Sequence, residues 1–265
     1  MRASPASKNV IITLQKYLAT SKFSYLLFCN PTHKNLKLEG EQQETHTEEE
    51  MAGVSRRVVI WLHGLGDSGP ANEGLASFFK GPSFAAFKWI FPSAPEQRVT
   101  CNYGALMPSW FDLKEIPVTA ESPKMELGVI NAVESIHKMI DEEVAAGVSA
   151  DHIFLCGFSQ GGALTLASAM LYPKRLAGAA VFSGWVPLDG AGFVSKITPE
   201  AKKTPVLWLH GLNDQVVDFS AGQAAPPLLA RANVECDFKA FPGVGHTITP
   251  EELSTLEQWM KSKMQ

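Results

Sequence analysis

The chain has 265 residues, 45% of them hydrophobic, and a formal net charge of −4. That size and apolar content fit one large α/β domain with a sizeable core. The acidic balance, with no Lys/Arg cluster in the body of the chain, argues against a nucleic-acid surface, and no apolar run approaches the ~20 residues needed to cross a bilayer.

The N-terminal segment differs in composition from the rest. Residues 1–38 carry Arg2, Lys8, Lys16, Lys22, Lys34 and Lys37 and no acid, and Glu39, Glu41, Glu44, Glu48, Glu49 and Glu50 follow. Residues 1–54 are expected to be an extension: a disordered tail, a leader upstream of a start at Met51, or a transit-type targeting segment. Residues 55–265 are expected to form the folded domain. Cys29, Cys101, Cys156 and Cys236 have neither metal-ligand spacing nor the density of a disulfide scaffold, which favours a reducing compartment.

Arg57–His63 and Phe87–Phe91 are short apolar runs closed by Gly64 and Pro92, the pattern of buried parallel strands. A polar and aromatic loop is expected over about 95–125. Val129, Val133, Ile136 and Ile140 predict a helix over Glu126–Ala146, ended by Gly147. His152–Cys156 reads as a strand and Ser159–Leu171 as a helix stopped by Pro173. Ala177–Phe182 and Val206–His210 read as strands, Ser220–Ala232 as a helix, Glu235–Phe241 as a strand, and Pro250–Met264 as a C-terminal helix. Strands alternating with helices imply a mainly parallel sheet covered on both faces, with chemistry at the carboxyl ends of its strands.

Three of those ends are chemically loaded. Gly157-Phe158-Ser159-Gln160-Gly161 lies between a strand and a helix, the context in which Gly-x-Ser-x-Gly forms a nucleophile elbow. Asp214 follows the strand Val206–His210, and His246 follows Glu235–Phe241 after Gly243 and Gly245. The chain order Ser, Asp, His is that of the α/β-hydrolase triad. Ser159 is the expected nucleophile, His246 the general base and then acid, and Asp214 the carboxylate that fixes the His246 tautomer. Asp218 is a weaker candidate for the acid, and Asp189 and Asp237 weaker still. His63 and His210 read as residues shaping strand ends. The oxyanion hole is expected from the backbone N–H groups of Gln160 and Leu65, the latter in the glycine-rich loop His63-Gly64-Leu65-Gly66-Asp67.

Residues 184–204 separate the last two strands before Asp214, too few for a cap domain, so an open site is expected. Leu106, Met107, Trp110 and Phe111 in one loop, and Trp185 in another, are candidate walls of an apolar acyl groove. An exposed serine beside such a groove fits an ester or thioester with a long acyl chain.

Four segments together resemble the acyl-protein thioesterases and their relatives, the small lysophospholipases and carboxylesterases. They are Leu62-His63-Gly64-Leu65-Gly66-Asp67, Pro92-Ser93-Ala94-Pro95, Met107-Pro108-Ser109-Trp110-Phe111-Asp112 and Gly157-Phe158-Ser159-Gln160-Gly161-Gly162-Ala163. The resemblance covers roughly residues 56–263. It implies a capless α/β-hydrolase with no metal or cofactor, a Ser159–Asp214–His246 triad, and oxyanion donors at Leu65 and Gln160. It further implies removal of acyl chains from protein cysteines through an acyl-enzyme, with S-acylated proteins, lysophospholipids or small esters as substrates. A cytoplasmic monomer or weak homodimer is expected, with peripheral membrane contact left open and an organelle as the alternative location if residues 1–50 act as a transit peptide. Two departures stand out. Neither Met1-Arg2 nor Met51-Ala52 offers the acylated cysteine that some members carry after the initiator Met, and the acid turn Gly211-Leu212-Asn213-Asp214-Gln215 lacks an extra Asp and a Pro common there. Two other readings remain: a general carboxylesterase or lysophospholipase, and a non-catalytic receptor on the hydrolase fold.

Overall fold

The structure is a computed structural model that describes residues 56–264. The expectations for the N-terminal extension, Cys29 included, lie outside the described residues. Eight strands and seven α-helices are described, with short 3-10 turns between them. The strands are β1 (Arg57–Leu62), β2 (Phe87–Ile90), β3 (Glu96–Val99), β4 (Ala105–Pro108), β5 (Ile153–Phe158), β6 (Gly178–Phe182), β7 (Val206–Gly211) and β8 (Cys236–Phe241). The helices are α1 (Gly69–Asn72), α2 (Glu126–Ala145), α3 (Gln160–Leu171), α4 (Gly190–Lys196), α5 (Phe219–Gln223), α6 (Ala225–Arg231) and α7 (Pro250–Lys263). Six strands form one sheet in the order β2-β1-β5-β6-β7-β8, every neighbouring pair parallel.

The apolar runs read as strands because the sheet is buried on both faces. Successive side chains alternate between two cores. Val58, Ile60, Leu62, Leu155, Val181 and Trp208 face the side that holds α2 and α3. Val59, Trp61, Phe154, Phe182, Leu207 and Leu209 face α7, which contributes Leu253, Leu256, Trp259 and Met260. α2 buries Val129, Val133, Ile136 and Ile140 on one stripe, whereas α3 is buried all round from Gln160 to Met170, as a helix enclosed by its neighbours must be. α7 starts with a capping box: Thr249 Oγ1 accepts from Glu252 N–H at 3.2 Å, and the Glu252 carboxylate accepts from Thr249 N–H at 2.8 Å.

The structure corrects two expectations. The segment read as loop over 95–125 contains an antiparallel pair, β3 with β4, registered from Glu96↔Pro108 to Val99↔Ala105. Its turn passes through Tyr103 and Gly104, both at positive φ. The helix read over Ser220–Ala232 is two short helices, α5 and α6. Pro226 and Pro227 cannot donate to a preceding turn and clash with its carbonyls, so they are accommodated only in the first turn of a new helix. Between β6 and β7 the chain carries the seven-residue α4 and one 3-10 turn, Ala201–Lys203. The described cysteines Cys101, Cys156 and Cys236 are free. Among the described residues no helix is long and apolar enough to cross a membrane.

Candidate active site

β5, β7 and β8 end side by side with β6 at one edge of the sheet, and their following loops bring Ser159, Asp214 and His246 together. Ser159 sits between β5 and α3 at φ 55°, ψ −120°, a conformation an L-residue adopts only under strain, typically at a cost of about 1–3 kcal/mol. Two restraints hold it there. Ser159 N–H donates to the Phe182 carbonyl at the end of β6, at 2.8 Å, and the Ser159 carbonyl accepts the first bond of α3 from Ala163, at 3.0 Å. The motif glycines are steric requirements. A Cβ at Gly161 would lie 2.1 Å from the Leu62 carbonyl oxygen, and one at Gly157 would lie 2.5 Å from that of Gly161.

His246 Nδ1–H donates to Asp214 Oδ2 at 2.7 Å. That leaves Nε2 as the acceptor for Ser159 Oγ–H, 2.9 Å away. All three residues are buried, and the Asp214 side chain is wholly enclosed. Asp214 Oδ1 accepts the N–H groups of Val216 and Val217, each at 2.9 Å. Burial alone would raise the Asp214 carboxyl. The His246 hydrogen bond and charge and the two amides outweigh it and hold the group below the usual carboxylate range. Asp218, the competing acid, instead caps α5 by accepting from Ser220 N–H. Asp189 caps α4, and Asp237 pairs with Lys239 at the surface.

The loop after β1 lies against the nucleophile: a Cβ built on Gly64 would stand 3.5 Å from Ser159 Cβ. His63 pins this loop. Its Nε2 accepts from Ala94 N–H at 2.9 Å, so its Nδ1 carries the proton and donates to the Gly64 carbonyl at 2.7 Å. Gly66 N–H donates to the Pro108 carbonyl at 2.8 Å. Leu65 lies between these anchors, and no acceptor among the described residues takes its N–H. Gln160 is the first residue of α3, where helix geometry leaves the N–H without an intrahelical acceptor. Among the described residues neither N–H, the one in the loop nor the one at the elbow, has an acceptor.

Three of the five candidate groove residues lie inside the protein rather than along an open groove. Trp110, Phe111 and Trp185 are 6%, 3% and 4% exposed, and Phe111 meets Trp185 edge to face. Leu106 on β4 is 60% exposed, and Met107 packs half-buried against the core. Other contacts gave no sequence signal. The Phe158 ring lies 4.7 Å from the His246 ring, and the His210 Nε2–H, which donates to the Val217 carbonyl at 3.0 Å, is 3.5 Å from Asp214 Oδ2. His210 therefore does more than shape a strand end. Among the described residues no cluster of His, Cys, Asp and Glu could hold a metal ion.

Burial lowers the pKa of His63, His210 and His137, and the opposing bonds to Gly64, Val217 and Ser168 only partly offset it. In the unfolded chain these imidazoles take up protons near pH 6.5. The unfolded state therefore binds more protons below that pH, and stability falls as pH falls. Glu252, whose carboxyl burial raises, works in the opposite direction but is one group against three. The expected result is a Tm lower at pH 5 than at pH 7 by calorimetry; a Tm that holds or rises would contradict it.

Comparison with known proteins follows the same geometry. A family model described as phospholipase/carboxylesterase matches residues 46–264. A probable carboxylesterase of Oryza sativa subsp. japonica is 58% identical over 213 residues, 80% of each chain. Carboxylesterase SOBER1 of Arabidopsis thaliana is 52% identical over 80% of this chain and 92% of its own. Its crystal structure superposes with a TM-score of 0.78 over 79% of this chain and all of that one. An acyl-protein thioesterase 1 of Cryptococcus neoformans is 34% identical over 86% of this chain and 96% of its own.

Proposed function

This chain belongs to the phospholipase/carboxylesterase family, and we propose that it is a serine hydrolase that cleaves acyl thioesters and esters through an acyl-enzyme on Ser159, with S-acylated proteins as its main substrates. The observation that carries the reading is the unbroken hydrogen-bond chain from Ser159 Oγ through His246 to Asp214.

Ser159 Oγ attacks the acyl carbon as its proton passes to His246 Nε2. The carbonyl oxygen becomes an oxyanion and accepts from the N–H groups of Leu65 and Gln160, which are fixed before the charge develops. Collapse of the tetrahedral intermediate expels the thiol or alcohol, which takes the proton from His246 Nε2. Water, activated by the same nitrogen, then releases the acid and regenerates Ser159. Asp214 keeps the imidazole in the Nδ1–H tautomer and stabilises the imidazolium formed in each half-reaction. An anionic Asp214 is required throughout, which its depressed pKa supplies.

The short connection between β6 and β7 supports a macromolecular leaving group, because no cap is built there among the described residues. The accessible Leu106 and half-buried Met107 are the groove candidates left to meet a long acyl chain. A second reading, a carboxylesterase of small esters, is favoured by the burial of Trp110, Phe111 and Trp185, which takes three aromatic walls away from an open acyl groove. The discriminating experiment is kcat/KM on paired C4 and C16 substrates, each as oxygen ester and thioester. Preference for the C16 thioester is expected. Preference for short oxygen esters would establish the carboxylesterase reading, and absence of both turnover and fluorophosphonate labelling would point to a receptor.

A further inference from the structure

The segment Pro108-Ser109-Trp110-Phe111 is absorbed neither by the triad nor by an open groove, yet it touches both arms of the oxyanion hole. Toward the loop after β1, the Trp110 indole N–H donates to the His63 carbonyl at 2.8 Å, and the Pro108 carbonyl accepts Gly66 N–H at 2.8 Å. These contacts hold the residues on either side of the Gly64-Leu65 pair. Toward the elbow, the Gln160 side chain is fully buried against the same segment. Its Oε1 accepts Trp110 N–H at 3.0 Å, while its Nε2 donates to the Phe111 carbonyl at 2.6 Å and to Ser109 Oγ at 3.0 Å. Ser109 Oγ–H in turn donates to the Phe111 carbonyl at 2.7 Å.

We propose that Pro108–Phe111 is a clasp that sets the separation of the Leu65 and Gln160 amides, with Trp110 and the Gln160 side chain as positioning residues for the oxyanion hole. The inference rests on the function proposed above and deepens it. An oxyanion hole works by donors fixed before charge develops. Here the two donors lie 95 positions apart in sequence, on different elements, so their spacing is only as stiff as what joins them. Trp110 is suited to the task because its indole offers a single directed donor on a large buried ring. The clasp acts on the donor pair and not on the base: none of these bonds involves His246 or Asp214.

Two variants test it from opposite ends. Trp110→Phe deletes the indole donor while keeping an aromatic ring in the core. Gln160→Met deletes the side-chain bonds while keeping the backbone N–H. For each, kcat and KM are measured, together with Ki for an alkyl trifluoromethyl ketone, whose adduct with Ser159 places an oxyanion in the hole. The expected result is a fall in kcat of about 10- to 100-fold, below the 10²–10³-fold loss of a whole donor because both amides remain. KM should stay near wild type, Ki should weaken by the same factor as kcat/KM, and the acid limb of the pH profile should not move. A loss of rate with unchanged Ki, or with a displaced acid limb, overturns the clasp, as does wild-type kcat in either variant. Circular dichroism and Tm set the folded fraction to which rates are normalised; if Trp110→Phe does not fold, Gln160→Met carries the same criteria. A wild-type chain that neither turns over ester nor takes a fluorophosphonate removes the proposed function itself and the clasp's role with it. A wild type that does both, beside unaffected variants, removes the clasp alone.

Discussion

Ser159→Ala is expected to abolish turnover of every ester and thioester tested and to abolish fluorophosphonate labelling, with the protein still folded. The loss should be on the order of 10⁶-fold in kcat, the scale found when the serine of a protease triad is removed. The size follows from what remains. The Leu65 and Gln160 amides and the His246–Asp214 pair are untouched, but no atom within reach can form the acyl-enzyme. Folding should be spared because Ser159 Oγ bonds to His246 Nε2, not to the scaffold. The strained backbone at φ 55° is held by the Phe182 and Ala163 bonds, which alanine keeps. A hydroxyl with one net hydrogen bond contributes about 1 kcal/mol, so Tm should move by only a few degrees at this chain length. Retention of more than a trace of activity in a preparation free of contaminating esterase would remove Ser159 from the nucleophile's role.

Two of the three chemically loaded strand ends are legible because β5 and β7, like β1 and β6, are buried on both faces and appear as unbroken apolar runs whose ends are marked by Gly, Ser or Asp. β8, which leads to His246, is half-exposed and reads instead as an alternation of polar and apolar residues, Cys236-Asp237-Phe238-Lys239. The α3 helix is legible from the same motif that supplies Ser159. The β3–β4 pair is not. Glu96, Gln97 and Arg98 are polar, with no β-branched or aromatic residue to signal a strand, and they are held extended by pairing with Pro108, Met107 and Leu106 and by ties such as the Gln97 side-chain bond to the Ser109 carbonyl. The break at Ala224 is readable in retrospect from Pro226-Pro227, whose missing N–H groups the apolar periodicity of Ser220–Ala232 conceals. The burial of Trp110 and Phe111 is not legible locally, for a physical reason. Apolar side chains between predicted elements suggest ligand contact only when they are exposed. Burial of Trp110 depends on His63 and Gln160, 47 and 50 positions away, and no local pattern reports a contact closed by the whole fold.

Asp214→Asn is expected to lower kcat by about 10⁴-fold with little change in KM, following the serine-protease precedent. The local geometry gives the reason. Val216 and Val217 N–H groups point at Oδ1, so the asparagine oxygen will take that position and turn its NH₂ toward His246. An NH₂ cannot accept from Nδ1–H. The imidazole then adopts the Nε2–H tautomer, which donates to Ser159 Oγ where it should accept. The base is blocked while every residue remains in place, so the rate should collapse without loss of fold. The variant also loses the anion that stabilises the imidazolium, a second contribution of the same sign. Asp218 cannot take over while its carboxylate caps α5, and Asp214→Asn combined with Asp218→Asn should be no slower than the first substitution alone. A near-normal rate for Asp214→Asn, with a collapse only in the double variant, would move the acid to Asp218 and require α5 to uncap during turnover.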